Sequence, residues 1–324
     1  SKALNEIITN TIYDEKKIAV ILNQAKNNTK ESIIQNGMYI AMVEAQAIDV
    51  ESAKIRSNLI GSTRYDFLTK AIENVSDFSL KLQNLLKRVF NRNNMIASVS
   101  GSKAIVEKLE NEASLLELDD SANPKKLEAS LSPNKPRALI IPSEVSYNAK
   151  TFSLNKSEYD YNGALQVLAH IVRYDYLWNR VRVLGGAYGC TMQASSITEE
   201  ITLGSFRDPN CKNTYDVYDN LGKYLEEFKP TESEFNSYLI GAIGAFDQPA
   251  SNSVLINNAD SNFLCGVSDD DRIKTKKEMK EATIDTIKSY AKLFNEFASK
   301  GSCYSIGNEN AIRSSEIFAE IKEL

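Results

Sequence analysis

With 324 residues, 42% of them hydrophobic and 25% charged, the chain is long enough for two domains that fold without a disulfide or metal ion. Its formal net charge of −5 argues against nucleic acid and anionic membranes as partners, because both attract basic surfaces. We expect no membrane span, since no apolar run approaches ~20 residues, and no secretory signal at the start.

Cysteine and histidine usage bears on the compartment and on metal chemistry. The four cysteines (Cys190, Cys211, Cys265 and Cys303) are widely spaced and form no CxxC pair, which favours reduced thiols in a cytosol-like compartment. The chain has a single histidine, His170, whereas zinc hydrolase sites commonly use two or three. We therefore expect no zinc site in this chain alone, and we predict that His170 packs, half-exposed, on a helix.

Residues 14–92 are predicted to be almost wholly helical. The stretch DEKKIAVILNQAK opens with Asp14 and Glu15, which suit a helix N-terminus, and its apolar residues recur at helical spacing. Helical patterns continue after Gly37, a glycine that is either tolerated within a helix or marks close helix packing. From Met95, MIASVSGS then predicts a short buried strand, which has no partner strand in this part of the chain.

Residues 103–135 begin as a charged helix and end in a linker rich in Ser, Asn and Pro. Beyond it, the strand patterns are RALIIP, VSYNAKTFSL, AYGCTMQASS, EITLGSF and GSCYSIG, with a turn at Pro142-Ser143 between the first two. One helix, YNGALQVLAHIV, precedes the third strand, three or four follow the fourth, and SSEIFAEIKEL predicts a terminal helix. This order predicts an α+β domain with helices on one face of an antiparallel sheet.

The stretch NRVRVLGGAYGCT, residues 179–191, brings together two arginines, a glycine pair and a tyrosine. Phosphate-binding loops need GxxxxGK[ST], or GxGxxG between a strand and a helix, whereas these glycines follow a helical pattern and precede a strand. We therefore do not expect a phosphate site here. The acidic run SDDDR at Ser268 is explained by a helix N-cap with acidic residues in the first turn, rather than by a cation site.

Three segments occur in an order that carries a family resemblance: YLWNRVRVLGGAYG (176–189), GSFRDPNCKNTYDVYDNLGKYL (204–225) and the FDQP break at Phe246. Together they resemble the C-terminal half of the insulinase-like (M16) zinc metallopeptidases, in the presequence protease and falcilysin branch. The resemblance implies four homologous α/β domains in two halves, with zinc bound in the N-terminal half. It divides this chain into the helical end of a third domain (1–102), a helix and linker (103–135) and a complete fourth α+β domain (136–324).

The resemblance also implies roles for individual residues. In the family, an arginine and a tyrosine of this motif reach the substrate peptide, and the matching positions are Arg182 and Tyr188, with Arg180 out of register and structural. Hydrolytic attack on a peptide carbonyl develops negative charge on its oxygen, to which a phenol O–H can donate. A guanidinium can hold substrate carbonyls through a fixed fork of N–H groups. Without the resemblance, Tyr188 would be read as a half-buried strand tyrosine. The remaining motif residues are expected to be structural: Gly185, Gly186, Gly189, Arg207, Asp208 and Pro209.

The implied function is that of a non-catalytic, substrate-enclosing half of a zinc metalloendopeptidase, which degrades unfolded peptides in a closed chamber. Its partners would be the N-terminal catalytic half of the same polypeptide and unfolded peptides, with no nucleic acid and no membrane. Zinc would lie in that other half, so this chain alone should bind no zinc and cleave nothing. The expected location is cytoplasmic, or an organelle matrix in a eukaryote.

Two alternatives stay open. The chain could be a separately encoded, non-catalytic M16 subunit, although it opens partway through a domain and would lack strands. It could also be a repurposed peptide-binding module without protease activity, although such a module has no need for the Arg182 and Tyr188 pair.

Overall fold

The computed structural model describes residues 2–116, 118 and 128–324. Residues 117 and 119–127 of the predicted helix and linker lie outside the described residues. The helices are α1 (Lys2–Asn10), α2 (Glu15–Gln35), α3 (Gly37–Gln46), α4 (Glu51–Ile60), α5 (Ser62–Glu73), α6 (Val75–Val89), α7 (Lys103–Ser114), α8 (Ala164–Ile171), α9 (Lys212–Asp219), α10 (Leu221–Glu227), α11 (Glu232–Phe246), α12 (Asn252–Cys265), α13 (Asp269–Glu281), α14 (Ile284–Ser289), α15 (Ala291–Lys300) and α16 (Glu309–Ser314), with a π-helix at Val172–Leu184. The strands are β1 (Arg137–Ile140), β2 (Ser146–Ser153), β3 (Gly189–Ser195), β4 (Glu200–Phe206), β5 (Ser302–Gly307) and β6 (Glu320–Glu323). Among the described helices, none is both long and apolar enough to cross a membrane.

The strands form one sheet in the order β3-β4-β2-β5-β1-β6. From β3 to β5 the neighbours are antiparallel, with Gly189 opposite Phe206 where β3 meets β4. β1 instead runs parallel to both of its neighbours, so that Arg137 lies opposite Tyr304 on one side and Glu320 on the other. The predicted α+β fold with a single helix-covered sheet is confirmed, and its antiparallel part spans four of the six strands described.

The predicted terminal helix in SSEIFAEIKEL is wrong. Helix α16 ends at Ser314, and Glu316 then adopts a left-handed backbone conformation with φ of 56°, which an α-helix does not allow. The backbone N–H groups of Ala319 and Glu320 donate to the Pro136 carbonyl, and the following residues pair with β1. The free edge of β1 therefore outweighs the helical preference of this sequence.

The sheet is buried on both faces. One face carries the elements that come from residues 154–300, and its core includes the fully buried side chains Phe152, Leu165, Leu168, Ile171, Leu177, Phe294 and Phe297. The opposite face is covered by α3, which contacts β2, β4 and β5. As a result every residue of β2 is buried, although its sequence SYNAKTFS is largely polar.

Helix α3 attaches the N-terminal helices to the sheet. Its residues Ile40 and Ala45 are buried together with Tyr147 of β2. The Tyr147 hydroxyl donates to the Ile34 carbonyl at 3.1 Å, which ties the end of α2 to the same strand. A Cβ at Gly37 would overlap the Tyr147 ring, so this glycine marks the close packing that the sequence left open. The helices of 1–102 and the sheet of 136–324 thus share a core at α3.

The remaining N-terminal helices pack on one another, with Asp14 capping α2 as predicted by accepting hydrogen bonds from the backbone N–H groups of Lys16 and Lys17. The strand predicted at MIASVSGS is wrong. The chain around Met95 and Ile96 is extended and exposed, and it forms no strand in the described residues. A strand needs a neighbouring edge for its backbone hydrogen bonds, and here the described residues supply none.

The close contact at Gly37 gives a first prediction. Gly37→Ala should destabilise the protein by about 1–3 kcal/mol, because the buried Tyr147 ring has no room to move away from the new methyl group. The same change at Gly244 in α11 meets no atom within 4 Å and should stabilise by up to about 1 kcal/mol through helix propensity. Urea unfolding of both variants measures the difference, and equal effects would contradict the packing argument.

Glu200, the first residue of β4, is only 2% exposed, and neither carboxylate oxygen has a hydrogen-bond partner among the described residues. Burial raises the pKa of this carboxyl to about 8 from an ordinary 4.5, and the Asp49 carboxylate adds to the rise. The Thr198 hydroxyl is close enough to lower the pKa somewhat without reaching hydrogen-bond geometry. Between pH 4.5 and 8 the folded protein thus keeps a proton that the unfolded chain releases.

It follows that stability is lost as the pH rises through this window. The free energy of unfolding should fall from pH 5 to pH 8 by about 1–4 kcal/mol more in the wild type than in Glu200→Gln. Other shifted carboxyls, such as Asp208, contribute equally to both proteins and cancel. Denaturant unfolding at the two pH values measures the difference. Glu199→Gln, at the more exposed neighbouring position, should keep the wild-type slope, and an unchanged slope in Glu200→Gln would refute the prediction.

Candidate functional site

The predicted site lies where the π-helix ends and β3 begins. Buried residues Tyr176, Leu177 and Val181 hold one side of this 13-residue helix in the core, while Val183 and Leu184 at its end are exposed. Extended π-helical segments are rare, and π-type turns often occur at functional sites. The segment therefore combines a firmly packed side with an exposed C-terminal end.

The glycine pair turns the chain from the helix into the strand. A Cβ at Gly185 would lie 2.5 Å from the Val181 carbonyl oxygen, and Gly186 has a φ of +81°, a conformation that favours glycine. The backbone N–H groups of Gly186 and Ala187 donate to the carbonyls of Arg182 and Val181, at 3.0 and 3.1 Å. These bonds close the end of the helix and direct the next residues toward β3. At Gly189, by contrast, a Cβ would make an ordinary contact at 3.7 Å.

Tyr188 is exposed over 69% of its surface. Its ring meets Phe206 edge-to-face with centroids 5.9 Å apart, and its backbone N–H is shared between the carbonyls of Phe206 and Arg207, at 3.1 and 3.3 Å. The backbone and one ring edge are therefore fixed while most of the side chain faces solvent. This exposure does not fit the alternative reading of Tyr188 as a half-buried packing residue of the strand.

Arg182 is half-buried and lies on the same helix as Trp178, four residues earlier. Its guanidinium carbon is 3.8 Å from the centre of the Trp178 ring, a close cation–π contact. A guanidinium stacked in this way keeps its in-plane N–H groups directed sideways, where they can bind carbonyl oxygens. Arg180 is exposed and takes a different ring, Tyr176, at 5.1 Å. The two arginines thus lie over different aromatic rings.

Positive charge acts on the start of β3. Burial raises the pKa of the Cys190 thiol to about 11, and Arg173 and Arg182 partly oppose that rise because both favour the thiolate. Cys190 is therefore a neutral thiol, on which the two guanidinium groups and the Asp208 carboxylate act in opposite directions. Guanidinium groups near the start of β3 favour electron-rich ligand atoms such as carbonyl oxygens.

The loop that follows β4 holds the glycine turn in place through the side chains of Asp208 and Asn210. Asp208 is fully buried, and its carboxylate accepts hydrogen bonds from the Thr214 hydroxyl at 2.6 Å, the Asn210 backbone N–H at 2.9 Å and the Asn148 amide at 3.2 Å. Its backbone exchanges two hydrogen bonds with Ser146 at the start of β2. Burial raises the pKa of this carboxyl, and the hydrogen bonds oppose the rise. The carboxylate thus joins the loop to the centre of the sheet.

Asn210 carries this connection to the glycine turn. Its side-chain amide donates to the Gly185 carbonyl at 2.5 Å, and its own carbonyl accepts from the Asn148 amide at 2.9 Å. Pro209 also borders the turn, 3.5 Å from the position that a Cβ of Gly186 would take. Of the residues expected to be structural, Arg207 stands apart, since it is exposed, has a φ of 47° and lies over Phe206.

The supporting residues Asn148, Asn210, Trp178 and Phe206 were not identified from the sequence. Asn148 had a detectable signal, because it is a polar residue in the middle of a strand pattern flanked by buried positions. A polar residue at such a position needs hydrogen-bond partners from another element. Nothing in the local sequence pattern indicated that Asn210 is its link to the turn.

Two other polar features are structural. The His170 ring stacks on Tyr174 at 4.6 Å and lies against Gly241 of α11, and burial followed by the charge of Arg173 lowers its pKa. It is half-buried on a helix, as predicted. Ser268 caps α13 in a reciprocal capping box with Asp271, again as predicted.

The family resemblance implies zinc, but the residues that the structure describes offer no ligand set that fits it. Within residues 2–116, 118 and 128–324, no three His, Cys, Asp or Glu side chains are grouped so that they could hold a metal ion. The single histidine is packed between an aromatic ring and a helix backbone. What the residues around Tyr188 can supply is hydrogen-bond donors and positive charge.

The sequence pattern of the PreP C-terminal domain family matches residues 136–305. The chain belongs to this family. It is 31% identical to Protein HypA of Clostridium perfringens (strain 13 / Type A), over 99% of this chain and 34% of that protein. It is 23% identical to presequence protease 1, chloroplastic/mitochondrial, of Arabidopsis thaliana, over 92% of this chain and 28% of that protein. The chain thus spans about a third of the length of these curated relatives.

Solved structures share the fold. The peptidase M16 inactive domain from Pseudomonas fluorescens matches with a TM-score of 0.58 and 16% identity, over 95% of this chain and 74% of that chain. The periplasmic protease PqqL from Escherichia coli matches with a TM-score of 0.61 and 12% identity, over 98% of this chain and 37% of that chain. The predicted relationship to the C-terminal half of M16 peptidases of the presequence protease branch is confirmed.

The two turn glycines on either side of Tyr188 give a matched prediction. Gly186→Ala should destabilise by about 1–2 kcal/mol, because an L-residue is strained at a φ of +81°. Gly189→Ala should change stability by less than about 0.5 kcal/mol, since its methyl group meets only an ordinary contact. Chemical unfolding compares the two variants. If Gly189→Ala proved the more harmful, the turn would not be set by backbone conformation.

Proposed function

We propose that this chain is the substrate-enclosing, non-catalytic half of a zinc-dependent metalloendopeptidase that degrades unfolded peptides in a closed chamber. The observation that carries the proposal is the exposed phenol of Tyr188, which follows the glycine turn at the end of a packed helix whose last residues include the Trp178-stacked Arg182. Family membership supports the reaction class, and the loop geometry supports these two residues as the ones that reach the peptide.

Tyr188 would act on the carbonyl oxygen of the bond being cleaved. Addition of water to a peptide carbonyl turns its planar carbon tetrahedral and places a full negative charge on oxygen. A phenol O–H that is already in position donates a hydrogen bond to this oxyanion more strongly than to the neutral carbonyl, and so lowers the barrier. The ring contact with Phe206 and the bonds to its backbone N–H hold Tyr188 in place before substrate binds.

Arg182 would position the peptide rather than react with it. Its stacked guanidinium can donate to backbone carbonyls next to the cleaved bond, which are present in every peptide and carry no sequence information. Such binding suits a protease that accepts unfolded peptides of varied sequence. The requirement for an extended peptide follows, because carbonyls within a folded helix or sheet are already hydrogen-bonded.

The partner would be the N-terminal half of the same polypeptide, which would hold zinc and supply the activation of water. The curated relatives carry the matching segment within a single chain about three times as long, which supports a one-chain enzyme over a separate subunit. We propose the cytoplasm, or an organelle matrix in a eukaryote, as its compartment. The four cysteines are free thiols, in keeping with that setting.

The test is Tyr188→Phe in the full-length polypeptide. We expect kcat for peptide cleavage to fall by about 10²–10³, because one oxyanion donor is removed while the ring keeps its contact with Phe206. KM should change much less, since the lost bond forms mainly in the transition state. Steady-state cleavage of an unfolded peptide measures both constants.

Tyr39→Phe provides the matched control, since Tyr39 is an exposed tyrosine on α3 and lies outside this loop. It should leave both constants unchanged. Unaltered turnover in Tyr188→Phe would remove Tyr188 from the mechanism. A full-length polypeptide that binds unfolded peptides but cleaves none, with or without added zinc, would instead indicate a peptide-binding module.

A further inference from the structure

A cavity of about 350 Å³, the Arg173 cavity, lies beside the start of the π-helix, whereas Tyr188 follows the end of that helix. Its wall comes from α8, the first residues of the π-helix, β3 and α11. The apolar part of the wall includes Ala169, Met192 and Ala242, which are all buried. The volume is at the lower end of the range of ligand pockets, so the cavity suits one side chain or chain end.

Three polar side chains of the wall lie close together. The Tyr174 ring is 4.6 Å from the ring centre of His170 and 5.1 Å from the guanidinium carbon of Arg173. Burial, followed by the charge of Arg173, lowers the pKa of His170, so its ring is neutral near pH 7. A neutral imidazole still carries one N–H, and the phenol and the guanidinium also donate. The cavity therefore combines an apolar wall with a group of hydrogen-bond donors.

These three donors have no hydrogen-bond partner among the described residues. Two of them are exposed, and the imidazole is half-buried, so all three are open to a ligand. Gln166 in the same wall differs, because its side-chain amide donates to the Tyr161 hydroxyl and the Ala194 carbonyl, both at 2.8 Å. The donors that remain for a ligand are thus those around Arg173.

Arginines without a hydrogen bond are concentrated in this part of the chain. Six of the seven arginines outside residues 173–207 donate hydrogen bonds to described residues. The four within that range donate none there and lie over aromatic rings instead: Arg173, Arg180, Arg182 and Arg207. A stacked guanidinium keeps its N–H groups available for a ligand. The unpaired state of Arg173 therefore resembles that of Arg182, which we propose as a peptide-binding residue.

The surrounding charge favours an anion as the ligand. Among the described residues of the cavity wall none is acidic, although the chain as a whole has a net charge of −5. Burial raises the pKa of the nearby Cys190 thiol, and the charges of Arg173 and Arg182 oppose that rise. The Asp208 carboxylate also acts on Cys190, but it is buried and already accepts three hydrogen bonds. In an unmodified peptide at neutral pH, the anionic groups are carboxylates.

We propose that the Arg173 cavity binds a carboxylate of the substrate peptide, either its C-terminus or an acidic side chain. The inference rests on the proposed function, since it takes the ligand to be the peptide that Arg182 holds. A guanidinium can bind a carboxylate through two parallel N–H bonds, which gives Arg173 the main role. Tyr174 and His170 can donate to the remaining lone pairs, and the apolar wall contacts the carbon atoms of the same residue.

The cavity lies within reach of a peptide bound at Arg182. Arg173 and Arg182 belong to the same helix and both act on Cys190, so they face the same side. Their nine-residue separation corresponds to about 13 Å along a helix, which an extended peptide covers in about four residues. Because Arg182 would bind backbone carbonyls alone, a peptide can shift along it until a carboxylate enters the cavity.

The test measures peptide binding to the full-length polypeptide with a chelator present, so that no peptide is cleaved. Four peptides share one unfolded sequence and combine a free or amidated C-terminus with a single Glu or a Gln at one central position. Fluorescence anisotropy at physiological ionic strength gives each Kd. We expect the peptide with both carboxylates to bind about tenfold or more tightly than the peptide with none. The two peptides with one carboxylate identify which source is bound.

Arg173→Gln should reduce this preference to less than about twofold. Arg180→Gln removes the same charge from the same helix, but Arg180 lies over Tyr176 and outside the cavity wall, so this variant should retain the preference. The proposal is overturned if the wild type binds all four peptides equally, if Arg173→Gln retains the preference, or if Arg180→Gln abolishes it to the same extent.

Arg182→Gln separates this inference from the proposed function. It should weaken the binding of all four peptides by a similar factor, because backbone carbonyls are common to them. Unchanged binding in Arg182→Gln would contradict the proposed role of Arg182, whereas the carboxylate preference and its loss in Arg173→Gln would still support the cavity. Failure of the one and failure of the other are therefore distinguishable.

Discussion

The buried carboxylate of Asp208 is the contact on which the geometry of the Tyr188 loop depends. It reaches the sheet through Asn148, whose side-chain oxygen in turn accepts from the Ser305 hydroxyl of β5 at 2.7 Å. It reaches α9 through Thr214. Asn210 extends the same network to Gly185, so strand, helix and turn are joined by one set of short polar contacts. Because an unpaired buried carboxylate is strongly unfavourable, the network forms completely or the loop is not held in this position.

β2 carries different side chains on the two faces of the sheet. On one face Asn148 joins the Asp208 network and Lys150 donates to Asp219, and on the other Tyr147 and Ala149 are covered by α3. Removing the helices of 1–102 would expose that second face to water. The boundary expected between 1–102 and 136–324 therefore does not mark two independent cores, although the division by family domains stays a prediction.

Local patterns predicted much of this structure. Helix caps such as Asp14 and Ser268 followed from nearest neighbours in sequence. The roles of Arg182 and Tyr188 came from the family resemblance instead, and they stay a prediction. Contacts distant in sequence could not be predicted in this way. The sequence around Glu320 favours a helix, but it pairs with β1 because that strand has a free edge. MIASVSGS forms no strand among the described residues because they offer it no free strand edge. α3 is apolar on nearly all sides, which signals burial without saying against which partner.

The π-helix ties the orientation of the site to the number of residues in one segment. Each residue added to or removed from an α-helix turns everything after it by about 100°. A single deletion between Val172 and Leu184 would let this segment relax toward the commoner α geometry. It would also rotate Arg182 away from Trp178 and detach the glycine turn from Asn210. Homologous proteins that keep this site should therefore hold the length of this segment constant and place their insertions in exposed loops instead, such as the one between α11 and α12.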